Sequence, residues 1–416
     1  MSKVTLCTFF IYVFLCTKLF AQASKIDSSE MVTLRIDPES SRGTSVSQVF
    51  DEVQFIPLES TKESLFGSIS QLEVTDKCYV IYDYDTKAIL IFGKDGKYKN
   101  KISASKIEKD PKDKEAQNFY GFAMIKENNE PVIQVYLGRN YLYFDMNGKM
   151  LRKVLSKDLP YGNALKFTDG TNIKRYYTDK KDKDSTQYEI ALLKDDKEYA
   201  KYFPYDKDRY NKDQFWSVGD NFTDYGVPNE FFYITAYDYN IYKLTPKNLS
   251  LAYRVIFPAS NSLPADFKTN PLYVNKRSEF FEKNRTAIYG LGNIYKIGNN
   301  LFMKTGSYSW SKETKNALIY NLKSSALTSI TNIEADSLSN FLPVTDAGFF
   351  YDFLNHGFHK FDGTYFYTSY SSLAMFAFKE QNEGRNRTYN DVLNNYFKTS
   401  DKKSNPIIIQ LKPKKD

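Results

Sequence analysis

Histidine, cysteine and tryptophan are scarce in this chain. Among 416 residues there are two histidines, three cysteines and two tryptophans. His356 and His359 are three residues apart, and on an extended strand this spacing points them to opposite faces, so we expect no shared metal ion. The sequence also lacks Gly-x-Ser-x-Gly, His-Glu-x-x-His and Walker motifs. It therefore predicts neither a metal site nor a cofactor.

Long apolar runs are also rare, and the clearest one lies near the N-terminus. Residues 4–17 are largely apolar, Lys3 precedes them, and small residues follow at 21–23, which is typical of a signal peptide. The run is shorter than the ~20 residues that span a bilayer, which disfavours an uncleaved anchor. We predict that residues 1–23 are a signal peptide. Residues 24–416 would form one exported β-propeller domain, in the periplasm or at the cell surface, with no stable membrane span.

Cleavage at that site would change both the cysteine content and the charge. It would remove two of the three cysteines and leave Cys78 alone, so no internal disulfide is expected. The formal charge of +7 would fall to +5 with the loss of Lys3 and Lys18. Basic runs such as 180–184 and 412–415 are typical of solvated loops and tails. We therefore expect no nucleic-acid partner.

The most informative feature of the chain is a repeat. Residues 88–97 and 141–149 each begin as a short apolar strand that ends in Phe, and each continues into a tight turn closed by Gly-Lys. Positions equivalent to Phe92 recur with spacings of 52, 49, 49 and 78 residues, at Phe144, Leu193, Tyr242 and Tyr320. Hairpin repeats of roughly 40–50 residues predict the blades of a β-propeller.

The repeat predicts an all-β fold with six blades, and seven is the nearest alternative. The long fourth step requires an insertion, and residues 277–285 can form a short helix, so we expect a helical insertion near 276–289. Further helical segments are expected before the C-terminal strand. The last blade would take strands from 348–352, 364–370 and 406–411.

Two further segments lead to structural expectations. Propellers avoid a free sheet edge by pairing strands from the two chain ends, and residues 32–36 and 407–409 are both rich in β-branched residues. We therefore expect these two segments to pair in the closing blade. Residues 289–293 contain a Gly-x-Gly, which we interpret as a turn and not as a dinucleotide site.

The chain also resembles a known family. Residues 53–60, followed by 67–69 and the strand at 79–83, resemble the opening of the six-bladed β-propeller proteins of Bacteroidetes, which are similar in fold to TolB-like and NHL propellers. Residues 405–411 resemble the closing strand of that family. The family has no agreed enzymatic activity, so the resemblance implies the fold and export rather than a particular chemistry. A charged run at 106–115 replaces the Gly-rich loop of the family.

Trp216 and Trp310 are the predicted ligand-binding residues. Each lies in a polar, loop-like segment, and indole faces stack on sugar rings or peptide groups. The alternative is that both indoles pack between blades. Four arginines are further candidates for an anionic ligand: Arg139, Arg175, Arg277 and Arg285.

Two functional classes remain. The favoured one is an exported, non-catalytic propeller that binds a glycan, a peptide or a partner protein. The alternative is a propeller enzyme, such as a polysaccharide lyase or a glycosidase, in which carboxylates such as Asp83, Asp238 or Asp352 act as acid and base. The sequence has no sialidase-type Asp boxes and no His-rich metal channel, which disfavours the enzyme.

Overall fold

The computed structural model describes most of the chain, namely residues 23–108, 118–155, 165–178, 186–206, 209–218, 221–224, 227–309, 314–344, 360–385 and 387–415. These residues form six mainly antiparallel sheets, each of which is one blade of a β-propeller. The predicted fold class and the count of six blades are confirmed.

Three strands precede the first blade: β1 (Val32–Arg35), β2 (Arg42–Ser45) and β3 (Phe50–Pro57), with a short helix α1 (Val46–Val49) before β3. Blade 1 contains β4 (Gln71–Val74), β5 (Cys78–Asp83), β6 (Ala88–Gly93) and β7 (Tyr98–Ser103). Blade 2 contains β8 (Ala123–Glu127), β9 (Glu130–Leu137), β10 (Asn140–Phe144) and β11 (Met150–Leu155). Blade 3 contains β12 (Leu165–Lys166), β13 (Asn172–Thr178), β14 (Thr186–Lys194) and β15 (Lys197–Asp206), followed by helix α2 (Arg209–Lys212).

The remaining blades carry the longer insertions. Blade 4 contains β16 (Phe222–Asp224), β17 (Phe231–Tyr233), β18 (Asn240–Leu244) and β19 (Leu249–Ile256), followed by helix α3 (Arg277–Lys283). Blade 5 contains β20 (Ile288–Ile297), β21 (Asn300–Ser307), β22 (Ala317–Asn321) and β23 (Leu327–Glu334). Blade 6 contains β24 (Lys360–Phe361), β25 (Phe366–Tyr370), helices α4 (Ser372–Asn382) and α5 (Asp391–Thr399), and β26 (Ile407–Pro413).

The first strand of each blade lies nearest the propeller axis. First strands of adjacent blades contact one another: β16 contacts β20, and β24 contacts β4. Lys360 on β24 and Glu73 on β4 form an ion pair with a distance of 2.7 Å. Apolar side chains fill the space between blades, as Val80 and Ile91 of blade 1 do against Ile133 and Leu142 of blade 2. The core is therefore a ring of interfaces between blades.

The sequence repeat corresponds to the third strand of blades 1 to 5. The five aligned positions lie on β6, β10, β14, β18 and β22, and all are buried. The turns after β6 and β10 are closed by equivalent backbone hydrogen bonds. Gly93 N donates to Lys97 O at 2.8 Å, and Asp145 N donates to Lys149 O at 3.0 Å. Gly96 has a φ of +78°, and a Cβ there would lie 2.1 Å from Pro57 O, so only glycine fits.

The ring closes between the two chain ends, but not through the predicted segment. β26 is the third strand of blade 6, and its antiparallel neighbour is β3, with Ile409 opposite Phe55. Residues 32–36 were expected in that position, and this expectation is wrong. β1 instead pairs in parallel with β19 at the outer edge of blade 4, with Leu34 opposite Val255.

The N-terminal residues run along the outside of several blades before they enter blade 6. Ser24 N donates to Lys201 O on β15 of blade 3 at 2.8 Å. β1 then adds a fifth strand to blade 4, and β2 adds a parallel fifth strand to blade 5 through β23. We call residues 24–45 the N-terminal belt. It covers the outer edges of blades 4 and 5, which would otherwise expose unpaired backbone groups.

The predicted helices are present, with one correction nearby. α3 fills the insertion expected near 276–289, and α4 and α5 precede the C-terminal strand. Residues 289–293, interpreted as a turn, lie inside β20, where Gly292 allows close approach: a Cβ there would lie 2.4 Å from Val218 O. The strand expected at 348–352 and the charged run from 109 to 115 lie outside the described residues. No helix among the described residues is long and apolar enough to cross a bilayer.

Candidate functional site

The long connections of the propeller all emerge on one face. Because the strands of a blade alternate in direction, the link between strands two and three and the link to the next blade leave from the same side. These links include 104–122, 207–221, 257–287 and 371–406, whereas the opposite side has short turns such as 128–129 and 195–196. We call the first side the loop face, and the second the turn face.

A charged cluster lies beneath the loop face between blades 3 and 4. Glu189 on β14 is buried, and its Oε1 lies 3.4 Å from Nη1 of Arg209 on α2. Its other oxygen accepts a hydrogen bond of 2.7 Å from the Tyr233 hydroxyl at the end of β17. A buried carboxylate needs such partners, because transfer from water to the protein interior is costly for an unpaired charge.

A second ion pair joins the insertion between blades 4 and 5 to the connection between blades 3 and 4. Arg277 on α3 has 1% of its surface exposed, and its Nε donates to both oxygens of Asp213, at 3.0 and 2.9 Å. Nη2 donates to Asp213 Oδ2 at 2.6 Å, and Nη1 donates to Phe267 O at 2.5 Å. Arg277 was a candidate for binding an anionic ligand, but these bonds occupy it within the protein.

The bonds of this ion pair also change the pKa of Asp213. Burial alone would raise the pKa of Asp213. The hydrogen bonds from Arg277 and from the Asn275 and Gln214 amides outweigh burial and lower this pKa below its ordinary value of 3.8. Asp213 therefore stays ionised, and it fixes α3 to the segment after α2.

Lys268 is the third cation of this region, and its pairing differs from that of the two arginines. It lies in the connection between blades 4 and 5, is half-buried, and donates from Nζ to Thr235 Oγ1 at 3.2 Å. Burial lowers its pKa, although the carboxylates of Glu189 and Asp238 act in the opposite direction. Among the described residues, no carboxylate oxygen lies within 4.0 Å of its ammonium nitrogen.

An aromatic cluster lies beside the charged residues and surrounds Trp216. Its ring centroid is 5.0 Å from that of Phe281, 5.8 Å from Tyr289 and 5.8 Å from Tyr308, on which it stacks at 17°. The residue is half-buried, so it packs against the insertion and keeps part of its surface accessible. Trp310, the other predicted binding residue, lies outside the described residues.

Tyr176 is an exposed ring near the charged cluster. It lies near the loop-face end of β13 with 57% of its surface exposed. Burial raises the pKa of the Tyr205 phenol to about 12, and the nearby Tyr176 adds to that shift. Tyr205 in turn lies under the Arg209 guanidinium, 6.0 Å from the ring centroid. Tyr176 has a φ of +51°, a left-handed conformation that is costly for a bulky residue.

The carboxylates proposed for catalysis have local structural partners. Asp83 is fully buried and accepts hydrogen bonds from Ser68 N at 3.2 Å and Thr86 N at 2.9 Å, which fix the turn after β5. Asp238 accepts from Asn240 N and from the Tyr242 hydroxyl, both at 3.0 Å. Asp352 lies outside the described residues. Within the described part of the chain, no cluster of three His, Cys, Asp or Glu side chains could hold a metal ion.

The charged cluster could not be found by reading motifs. Its members come from β14, α2, the end of β17 and the connection before α3, so no local pattern joins them. Only the aromatic content of 210–216 and 277–289 marks this region in the sequence. The arrangement brings aromatic and charged side chains together beneath the loop face, a combination that ligand sites commonly use.

Comparison with known proteins gives one family and several similar solved structures. The model of a family described as a domain of unknown function, DUF4934, matches residues 32–412. A candidate exported protein of Bacteroides fragilis is 16% identical, with a TM-score of 0.58, over 92% of this chain and 99% of that chain. No curated protein matches the chain.

Two more distant structures show weaker likeness. A member of the DUF4221 family from Bacteroides vulgatus is 11% identical, with a TM-score of 0.39, over 88% of this chain and 99% of that chain. Virginiamycin B lyase from Staphylococcus aureus is 13% identical, with a TM-score of 0.27, over 67% of this chain and 73% of that chain.

Proposed function

The chain belongs to the DUF4934 family, and we propose that it is an exported, non-catalytic β-propeller that binds a glycan, a peptide or a partner protein on its loop face. Its compartment in this proposal is the periplasm or the cell surface, reached through the signal peptide predicted at residues 1–23. The exported description of the Bacteroides fragilis structure supports this location.

One observation carries the proposal: the long connections collect on one face and place aromatic and charged residues there together. A propeller needs only short turns to join its strands, as its turn face illustrates. The connections 207–221 and 257–287 exceed that need, and they bring Trp216, Arg209 and Lys268 to one region. Loops on a rigid scaffold are where binding residues concentrate.

Two aromatic side chains of this face are assigned to ligand contact. Trp216 offers the accessible part of its indole, and Tyr176 offers an exposed ring. Aromatic rings of this kind supply much of the free energy of binding at recognition sites. Trp310 stays a prediction from the sequence, as a second indole for the same role.

The test is a ligand screen followed by titration of loop-face variants. Residues 24–416 are screened against glycan and peptide arrays, and each hit is titrated calorimetrically. We expect Tyr176→Ala and Trp216→Ala each to reduce the free energy of binding to the hit by about 1–3 kcal/mol. Tyr199 is a matched control, because it is 45% exposed and lies next to the turn at 195–196. Equal losses from Tyr199→Ala, or no loss from either loop-face variant, would contradict the proposal.

Trp216→Ala also needs a stability measurement, because its indole is part of the packing around α3. Removing a large buried aromatic side chain costs roughly 3–5 kcal/mol, and a half-buried one costs less. Urea denaturation of the same variant separates a loss of folding from a loss of ligand contact. Tyr176→Ala, whose ring is mostly exposed, isolates the binding effect.

A further inference from the structure

We propose that Lys268 anchors an anionic group of the ligand, and that the ligand is an acidic oligosaccharide bearing a carboxylate or a sulfate ester. This inference rests on the proposed function, because it specifies the chemistry of the ligand at the same loop-face site.

A comparison of the partners of Arg277, Arg209 and Lys268 singles out Lys268 as the candidate anchor. Arg277 is matched by Asp213 through several hydrogen bonds. Arg209 faces Glu189, which the Tyr233 hydroxyl also contacts. Lys268 donates to the neutral hydroxyl of Thr235. An ammonium has three N–H donors, so this lysine has donors to offer to an incoming acceptor.

The burial of the Lys268 ammonium favours a further counter-charge beside it. Burial is the largest cause that disfavours its charged form; the carboxylates of Glu189 and Asp238 act in the opposite direction, and Arg209 and Arg277 add to the effect of burial. Neither carboxylate lies within 4.0 Å of the ammonium nitrogen. A negative group placed on the ammonium would therefore offset the cost of burial, because opposite charges in a partly desolvated site attract more strongly than in water. Hydrogen bonds in which both groups are charged are also shorter and stronger than neutral ones.

The neighbouring rings favour a sugar as the carrier of that anion. Tyr176 has an exposed face near the Arg209 end of the cluster, and Trp216 lies at the α3 end. Flat apolar faces beside a single cationic anchor suit pyranose rings that carry an acid group. An acidic peptide is the competing class, and the experiment includes it.

The probes are trigalacturonate for the carboxylate, a sulfated chondroitin disaccharide for the sulfate ester, maltotriose as the neutral sugar and a tri-aspartate peptide. Each is titrated calorimetrically into residues 24–416 at two NaCl concentrations. We expect one of the acidic sugars to bind more tightly than maltotriose and the peptide, with an affinity that falls as salt rises. The acidic sugar that binds identifies the source of the anion.

Lys268→Met removes the charge while keeping the length of the side chain. We expect this variant to bind the acidic sugar about tenfold more weakly or worse, because it loses a hydrogen bond to a charged group. The matched control is Lys276→Met, an exposed lysine in the same connection. The inference is overturned if Lys268→Met binds the acidic sugar as tightly as the wild type does, or if Lys276→Met loses as much affinity as Lys268→Met. It is also overturned if maltotriose or the peptide binds more tightly than the acidic sugars.

A second measurement does not depend on the variant being folded. Reductive ¹³C-methylation labels the lysines of the wild-type protein, and NMR follows the Lys268 resonance during addition of the acidic sugar. A shift confined to surface lysines would contradict the inference. Binding of maltotriose that is lost in Tyr176→Ala but retained in Lys268→Met would support the proposed function and reject the anionic anchor.

Discussion

Arg277 and Asp213 form the most deeply buried ion pair described in this protein, with 1% and 6% of their side chains exposed. We expect Asp213→Ala to lower the free energy of unfolding by about 3–5 kcal/mol, because it leaves the guanidinium buried without its counter-charge. Urea denaturation measures the loss.

The control for this pair is an exposed one. Lys97 and Glu59 lie 3.6 Å apart with 69% and 36% of their side chains exposed. Lys97→Ala should cost about 0–1 kcal/mol, since solvent screens the attraction. If the two variants lose similar stability, the insertion does not depend on the buried pair.

The same pair predicts a pH dependence. The pKa of Asp213 is lower in the folded protein than its ordinary value of 3.8. A lowered pKa means that the stabilisation is fully present above about pH 4 and is lost as pH falls through the folded-state pKa. The stability difference between wild type and Asp213→Asn should therefore shrink below pH 4. A difference that stays constant from pH 6 to pH 3 would contradict the assignment.

At the level of secondary-structure elements, substitutions in β1 test whether the N-terminal belt packs on blade 4. Leu34 on β1 is 2% exposed and packs with Ile36 in the interface between blades 4 and 5, whereas Val32 on the same strand is 49% exposed. Leu34→Ala should cost about 2–5 kcal/mol, and Val32→Ala less than about 1 kcal/mol. Denaturant midpoints of both variants give the comparison. Equal costs would mean that β1 does not dock on β19 in solution.

How far the sequence predicted each element depended on the range of the interactions that determine it. The third strands and their turns were predictable, because a residue such as Gly96 is required by the left-handed φ of +78° in its own hairpin turn. The helix at 277–283 was predictable for a similar local reason. The closing strand was not: residues 32–36 and 50–57 both suit a strand, and only contacts with distant blades decide which pairs with β26.

The residues of the candidate site were likewise predictable only where local sequence determines them. Trp216 was identified from its local surroundings, and it does lie on the loop face. Lys268, Glu189 and Arg209 were not identified, because their proximity depends on how three separate connections fold over blades 3 and 4. The role of Arg277 was misread for the same reason, since its partner lies 64 positions away in the chain.

For the whole molecule, the closure of the ring is the feature to test. β26 lies between β25 and β3, and Ile407, Ile408 and Ile409 are fully buried. Deleting residues 405–416 removes an interior strand and leaves β3 without its partner. We expect a loss of several kcal/mol from apolar burial alone, together with aggregation through the exposed edges. A truncated protein with the denaturant midpoint of the intact chain would contradict this closure.

The N-terminal belt and β3 also constrain the order in which the fold forms during synthesis. Val32 pairs with Tyr253, and Phe50 pairs with Pro413, so the segment that is made first waits for partners that are made much later. Native pairings this far apart in sequence form slowly, because a long loop must close before any contact is gained. The belt strands pair with β19 and β23, and β3 pairs with β26, so the fold is complete only after the last residues have been made.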